Sequence, residues 1–413
     1  MRHGAAFHHA GLKPQHRELI EENFKRNLIK VISCTPTLAA GVNLPARRAI
    51  IRDCKRFEAG RGSTFIPTSE YKQCAGRAGR PQFDSYGEAV LVAKTESQED
   101  MLFDRYIHAD PEPIISKLDS ESALRFHILS SIASGYVHDL NGMFDFLSHT
   151  FMHHQKESRN LLNSISQIFE FLHEEKFIEK SGYRFFATAL GSLTSRLYID
   201  PMTSITIRDG LHLAKNKQEP LTPESFIHLI CCCPDCPLLS GITPKTIDAI
   251  EKAAAHLYDQ LILNPENHHQ FQDVFFYLRT IKTMLMLNEW ILETKEDMMC
   301  DFFNIGPGDI YRHMDSAQWL MYAATRIAEL LQYRSLTFEL EKTRQRIRYG
   351  IKEELLDLVK LKGIGRVRAR ILFDHGFHKM SDFKFTTIQA LGSIPNISVN
   401  LADDLIKQSL TKI

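Results

Sequence analysis

Over 413 residues the chain contains no Gly-Lys dipeptide and no Asp-Glu pair. The first absence excludes a phosphate-cradling loop of the form G-x-x-x-x-G-K-[ST], and the second removes the acidic pair that would end a metal-holding strand. No apolar run approaches the roughly 18 residues that a bilayer span requires, and no charged-apolar-small leader is recognisable. Eight cysteines are too few at this length for a disulfide framework and fit a reducing, cytosolic setting. Four of them cluster as Cys231-Cys232-Cys233-Pro-Asp-Cys236. No second ligand pair stands at a metal-binding spacing, so the cluster reads as a buried helix end. An excess of one charge is missing too. Fifty basic residues face fifty acidic ones, so any surface made for phosphates has to be local.

What is present is an ordinary globular composition, 44% hydrophobic and 24% charged. At about 100 to 200 residues per domain, the length implies three or four domains. The organising stretch runs from Ser33 to Arg80. It opens with SCTPTLAAGVNLPARR (Ser33 to Arg48) and closes with EYKQCAGRAGR (Glu70 to Arg80). Leu28 to Cys34 reads as a strand leading into a loop of small and polar residues, the place where open α/β sheets hold ligands. Gln73, Arg77 and Arg80 stand at i, i+4 and i+7, so a helix would put them on one face. Two guanidiniums on one face, with Gly76 and Gly79 allowing close approach, suit the charge that spreads over a phosphate during its transfer.

TPTLAAGVNLPARR resembles motif V, and QCAGRAGR motif VI, of the superfamily-2 helicases. AAFHHAGL (Ala5 to Leu12) resembles the segment that precedes them in the branch holding the archaeal Holliday-junction-migration helicase and the helicase domain of DNA polymerase theta. The resemblance implies a RecA-like α/β lobe in which Gln73, Arg77 and Arg80 reach the terminal phosphates of ATP. By the same resemblance Gly41 and Asn43 shape the nucleotide edge and Thr35 contacts a strand phosphate. ATP and Mg²⁺ are the implied cofactors, held mainly by a first lobe that the chain lacks. Cys236 stands where a bulkier apolar residue is expected in that branch, a departure that touches packing rather than chemistry.

In chain order, Pro14 to Arg26 reads as a helix, and Ile29 to Cys34, Ala49 to Arg52 and Glu88 to Ala93 as buried parallel strands of one sheet. Ala59-Gly60-Arg61-Gly62 forms the tip of a hairpin between Arg56 and Tyr71. Residues 47 to 61 hold six basic side chains against two acidic ones. Arg56 and Arg61 are therefore candidate phosphate contacts. In the resembled helicases a hairpin here wedges into the duplex junction. Asp110-Pro111-Glu112-Pro113 marks a linker. Helices over Ile114 to Phe151 and a further helix at Leu161 to Lys176, with Ile165, Ile168, Phe169 and Leu172 on one side, precede a strand pair around Ser181-Gly182. That is the order of a winged helix, read here as packing against the motor rather than as a DNA reader.

From Pro201 to about Arg344 the chain reads as helical. After Ile305-Gly-Pro-Gly308, Asp309 can cap a helix running to about Leu331. Arg312, Trp319 and Arg326 recur every seven residues along it, one stripe with steps of roughly 10.5 Å. A cation, an aromatic ring and a cation in line offer a single strand both phosphate contacts and a stacking platform. The segment DFFNIGPGDIYRHMDSAQWLMYA resembles the ratchet helix of the archaeal helicase, which gives Arg312 and Trp319 that role; Arg326 rests on spacing alone. Residues 342 to 370 hold ten basic side chains against three acidic ones. Within them Leu361-Lys-Gly363-Ile-Gly365 turns into a helix whose backbone N-H groups can meet a phosphate flanked by Arg366, Arg368 and Arg370. This stretch resembles the helix-hairpin-helix-like end of the same helicases.

The expected fold is therefore multidomain, α/β followed by mostly α. It comprises a partial RecA-like lobe at 1–110, a winged helix at 111–198, a helical ratchet domain at 199–345 and a helix-hairpin-helix-like domain at 346–413. The expected function is that of the C-terminal portion of an ATP-dependent, 3′-to-5′ DNA helicase. It would be a cytoplasmic monomer acting on single-stranded and forked DNA beside replication-fork proteins in repair and recombination. A non-catalytic nucleic-acid-binding fragment and an RNA helicase of the same superfamily are the alternatives. Without a phosphate loop the chain by itself should not hydrolyse ATP. A phosphate-release assay with single-stranded DNA checks this, and stimulated turnover well above background would refute it.

Overall fold

The computed structural model describes all residues except 1–2, 10, 13, 36–37, 39–43, 59–61, 81–83, 156–158, 243, 269–270, 272 and 412–413. Two compact units emerge, Met1–Ile115 with Ile305–Asp309, and Ser116–Asn304 with Ile310–Ile413.

In the first unit, strand β1 (Ala5–His8) runs parallel to β2 (Val31–Cys34), with the helix Pro14–Lys25 as the crossover that parallel strands need. Strand β3 (Arg48–Ile51) pairs in parallel with β6 (Glu88–Leu91), while β4 (Lys55–Glu58) and β5 (Gly62–Phe65) form an antiparallel hairpin in the register Lys55↔Phe65. The parallel pairing matches the apolar runs. The single buried sheet does not appear among the described residues, where the parallel strands form two separate pairs. Their side chains divide between faces: His8 and Ile51 are buried, whereas Phe7, Val31 and Ile50 remain 62%, 63% and 62% exposed. Alternating exposure of this kind belongs to a sheet covered on one side only.

The core of this unit gathers Ile51, Cys54, Ile66, Tyr71, Leu102 and Tyr106. The helix Glu96–Leu102, capped by the Thr95 side chain, widens into a π-helix at Phe103–His108 that drives Tyr106 into this core. The helix Thr68–Ala75 begins after Pro67, which supplies no side-chain cap. Its first two N-H groups are satisfied from far along the chain, where the Glu112 carboxylate accepts from Thr68 N (2.5 Å) and Ser69 N (2.9 Å). The segment read as a linker is thus a capping arm.

In the second unit, helices Glu121–Ala133, Leu140–Ser148, Phe151–Gln155 and Arg159–Glu174 precede the hairpin of β7 (Ile178–Ser181) and β8 (Arg184–Ala187), which turns at Gly182. Ile165, Ile168, Phe169 and Leu172 are buried with Ile128, Leu129, Met143 and Phe177, as their spacing requires. Asp200 then joins these helices to the bundle that follows. It caps the helix Pro201–Asn216 through Met202 N (2.8 Å), and its two carboxylate oxygens accept from Arg125 Nε and a terminal guanidinium nitrogen (3.0 Å each). Both partners are buried, so removing either strands a charge.

The bundle continues through Pro223–Cys231, Pro244–Leu257, Val274–Ile291, Glu296–Phe303, Pro307–Leu330 and Arg334–Tyr349. The long helix starts two residues before Asp309. That residue sits in its first turn and accepts from Gly306 N (3.0 Å), closing the turn from inside. Cys231, Cys232, Cys233 and Cys236 are all buried at the C-terminal end of Pro223–Cys231. The chain finishes with helices Arg366–Asp374, Ile388–Gly392 and Val399–Thr411 around Leu355, Leu358, Leu372, Phe383 and Leu405.

Capping by backbone N-H groups pushes the Glu112 carboxyl down from 4.5 to about 2, chiefly through Ser69 and Thr68. A depressed carboxyl stabilises the folded state above its unfolded value and loses that contribution as pH falls through the folded one. In urea titrations, Glu112→Gln should therefore be less stable than the parent at neutral pH, and the gap should close between pH 4.5 and about 2. A gap independent of pH would show that the charge is not what caps the helix.

Candidate nucleotide and nucleic-acid sites

Gln73 lies exposed in the last turn of Thr68–Ala75, but the helix stops there. Arg77 falls in the following turn and Arg80 lies beyond it outside any helix, so the three do not share a helical face. The glycines explain the departure. Gly79 adopts φ +93°, and a Cβ on Gly87 would lie 2.5 Å from the Ala78 carbonyl carbon and closer still to Gly79 N. Only glycine at 87 lets the two backbones pass so closely. The freed segment pairs instead with the end of the first motif. Ala46 N donates to Arg77 O (2.9 Å) and Gly79 N to Ala46 O (2.7 Å), a parallel bridge between Ala46 and Ala78. Chain folding thus joins the two motif stretches directly.

Arg77 and Arg80 are half-buried beside this bridge. Arg80 is clamped by Asp84, with Nε at 2.8 Å from one oxygen and a terminal nitrogen at 2.9 Å from the other. The guanidinium holds the Asp84 carboxyl below its usual range. For Arg80 to reach a phosphate it has to exchange this bidentate partner. Thr35 is exposed just beyond β2 and donates its N-H to His8 O (3.1 Å). Gly41, Asn43 and Arg61 lie outside the described residues. Arg56, on β4, pairs with Glu70 of the following helix at 2.6 Å, so hairpin and helix are tied by charge as well as by chain.

In the second unit the stripe on Pro307–Leu330 is preserved as a continuous helix. Arg312 and Arg326 are exposed and Trp319 half-buried between them. Arg326 pairs with Glu329. The indole N-H of Trp319 donates to Leu197 O at 2.9 Å, which fixes the edge of the ring. That anchor, 122 residues away, has no local signature.

The terminal arginines divide. Arg366 donates to Thr294 O (2.6 Å) and lies over the Trp290 ring at 4.5 Å. Arg370 forms a bidentate pair with Glu293 (2.8 and 2.9 Å) and reaches Glu354 (2.8 Å). Both hold the terminal helices to the bundle. Arg368 stays exposed and donates to Gly363 O (2.8 Å) and Asn396 O (3.1 Å). It borders a groove of about 450 Å³ lined by Val367, Arg368, Asn396, Ile397 and Ser398.

This groove shows a relation the reading of the sequence missed. Thirty-three residues apart, Gly363-Ile-Gly365 and Asn396-Ile-Ser398 make the same turn. Gly363 and Asn396 both take positive φ (86° and 64°), and Ile364 and Ile397, Ala369 and Ala402, Leu372 and Leu405 are buried in corresponding places. Each turn opens a helix, so two sets of helix-start N-H groups border the groove. The spacing of the buried residues was visible, but Asn and Ser replace the glycines.

Both motif stretches lie in a region whose residue pattern matches a helicase domain. The residue pattern of the helicase conserved C-terminal domain matches residues 2–82, that of a helix-turn-helix domain matches 87–179, and that of archaeal helicase domain 4 matches 224–350. The relatives are more particular. The chain is 43% identical over 411 residues to the ATP-dependent DNA helicase Hel308 of Methanocella arvoryzae, covering 99% of this chain and 55% of that protein. It is 39% identical over 408 residues to the Hel308 of Pyrococcus horikoshii, and 36% over 413 to that of Pyrobaculum calidifontis, covering 98% of this chain and 56% of the relative in each case. The chain is thus a homologue of Hel308-type archaeal superfamily-2 helicases along nearly its whole length, and spans about half the length of these relatives.

Trp319→Phe keeps an aromatic ring but deletes the donor to Leu197 O. Urea unfolding should show a loss of about 1 to 3 kcal/mol, the cost of leaving a carbonyl without its partner. An unchanged midpoint would mean that the tether does not hold the ring.

Proposed function

We propose that this chain is the part of an ATP-dependent, 3′-to-5′ DNA helicase that closes the nucleotide cleft and guides the strand. The observation that carries the reading is the bridge joining the two motif stretches at Ala46 and Ala78, which holds the backbone of Arg77 against the end of the first stretch and Arg80 just beyond it. In this reading Gln73, Arg77 and Arg80 contact the terminal phosphates of ATP. Arg80 leaves Asp84 as the more highly charged nucleotide arrives. The donor set is amide and guanidinium, suited to phosphate oxygens. Among the described residues no group of three His, Cys, Asp or Glu side chains is placed to hold a metal. Mg²⁺ ligands then come from elsewhere in the motor.

The single strand runs along Arg312, Trp319 and Arg326. Thr35 and Arg56 meet phosphates near the junction, with Arg61 at the hairpin tip. Phosphate contacts at the chain's end fall to the exposed Arg368 and the paired helix starts, not to Arg366 or Arg370, which are half-buried against the bundle. We assign the domains as 1–110, 111–198, 199–345 and 346–413. The protein would act as a cytoplasmic monomer on forked or branched DNA during replication-fork repair and recombination. Among the described residues no helix is long and apolar enough to cross a membrane.

Fluorescence anisotropy of a labelled 3′-tailed fork at two salt concentrations tests the reading, alongside Arg312→Ala and Trp319→Ala. Binding should weaken as salt rises, and each substitution should cost more than about 1 kcal/mol. If both variants bind as the parent does, the strand does not follow the stripe. Competition with an RNA of the same sequence decides between nucleic acids.

A further inference from the structure

We propose that Tyr106 and Glu112 are positioning residues that couple the arginine-bearing segment to the β4–β5 hairpin, so that the two move as one body. The inference rests on the proposed function for what that movement accomplishes, but the coupling itself stands on geometry. The hairpin and the helix Thr68–Ala75 are separated by Ile66 and Pro67 alone. The arm formed by residues 105–112 fastens both sides of this joint. On the hairpin side, the fully buried Tyr106 directs its hydroxyl at Ile66 O (2.9 Å) and Cys54 O (3.4 Å). Those are the residues that flank the hairpin, and they are bonded to each other through Ile66 N and Cys54 O (2.8 Å). Phe65 is held between two cations, Lys55 at 4.6 Å and Arg105 at 4.8 Å from its ring.

On the helix side, Glu112 takes the first two N-H groups, and the Thr68 hydroxyl donates to Arg105 O (3.1 Å). The Arg56–Glu70 pair crosses the joint directly. Pro67 at the N-cap leaves the helix start without a local cap, so its orientation depends on the arm. The π-helix at Phe103–His108 makes the arrangement possible. Its wider turn sends Tyr106 inward while Arg105 stays on the surface, and such turns recur where helices serve a function. A rotation of the helix that carries Gln73 would therefore be delivered to the hairpin base through three separate fastenings.

The test uses this chain with Glu112→Gln, Glu112→Asp and Tyr106→Phe. In both Glu112→Gln and Tyr106→Phe, hydrogen exchange read by mass spectrometry should rise about threefold or more across the helix 68–75 and the strands 55–58 and 62–65 alike, because one cooperative unit opens together. Affinity for a 3′-tailed fork should fall by a similar factor of about three while affinity for a single strand of equal length stays within about twofold. Glu112→Asp, which keeps the charge and the acceptors, should restore both. Exchange that rises only next to each substitution overturns the coupling, as does equal loss on fork and single strand. If the parent chain shows no preference for the fork, the helicase reading fails. The exchange data still decide the coupling.

Discussion

The bridge between Ala46 and Ala78 is the constraint on which the first unit depends. Two backbone hydrogen bonds hold the end of one motif stretch against the other, and they form only because residues 77–79 leave the helix. Two glycines permit this, Gly79 by its left-handed backbone and Gly87 by lacking a Cβ where the chains cross. A continuous helix through Arg80 would have aligned three side chains and lost the bridge. The structure gives up the alignment and gains a fixed distance between the two stretches. Orientation of the arginines then follows from the backbone rather than from helical phase.

The arginines read from the sequence fall into two groups by what surrounds them. Arg366 and Arg370 lie against Trp290, Thr294 and Glu293, and the bidentate pair to Glu293 holds the terminal helices to the bundle. Arg312 and Arg368 are exposed, where a phosphate can approach from solvent. Arg80 stands between these cases, since Asp84 is an acid that an incoming phosphate can replace. A local surplus of positive charge therefore overstates the surface available to nucleic acid. Part of the surplus near the end of the chain is offset by acids outside that stretch, Glu293 at Arg370, Glu341 at Arg344 and Glu339 at Lys342.

Elements built from their own residues were legible. The helix carrying Ile165, Ile168, Phe169 and Leu172, the hairpin around Gly182 and the long helix bearing Arg312, Trp319 and Arg326 all follow from spacing within one segment. What escaped depends on partners distant in sequence. Glu112 caps a helix 44 residues earlier, and Arg370 pairs with an acid 77 residues earlier. The tether of Trp319 spans 122 residues. The break after Ala75 was hidden for another reason: Gly76 and Gly79 fit both a helix with close approach and a helix end. The crossing at Gly87 decides between them.

The four cysteines at the end of Pro223–Cys231 carry a consequence for how the bundle can be watched. Burial raises the pKa of Cys231, Cys232 and Cys233 well above the ordinary thiol value, so the native protein offers almost no thiolate there. An alkylating reagent gains access only when the surrounding helices separate. Their labelling is therefore a clock: its rate counts how often this part of the bundle opens, with no residue changed.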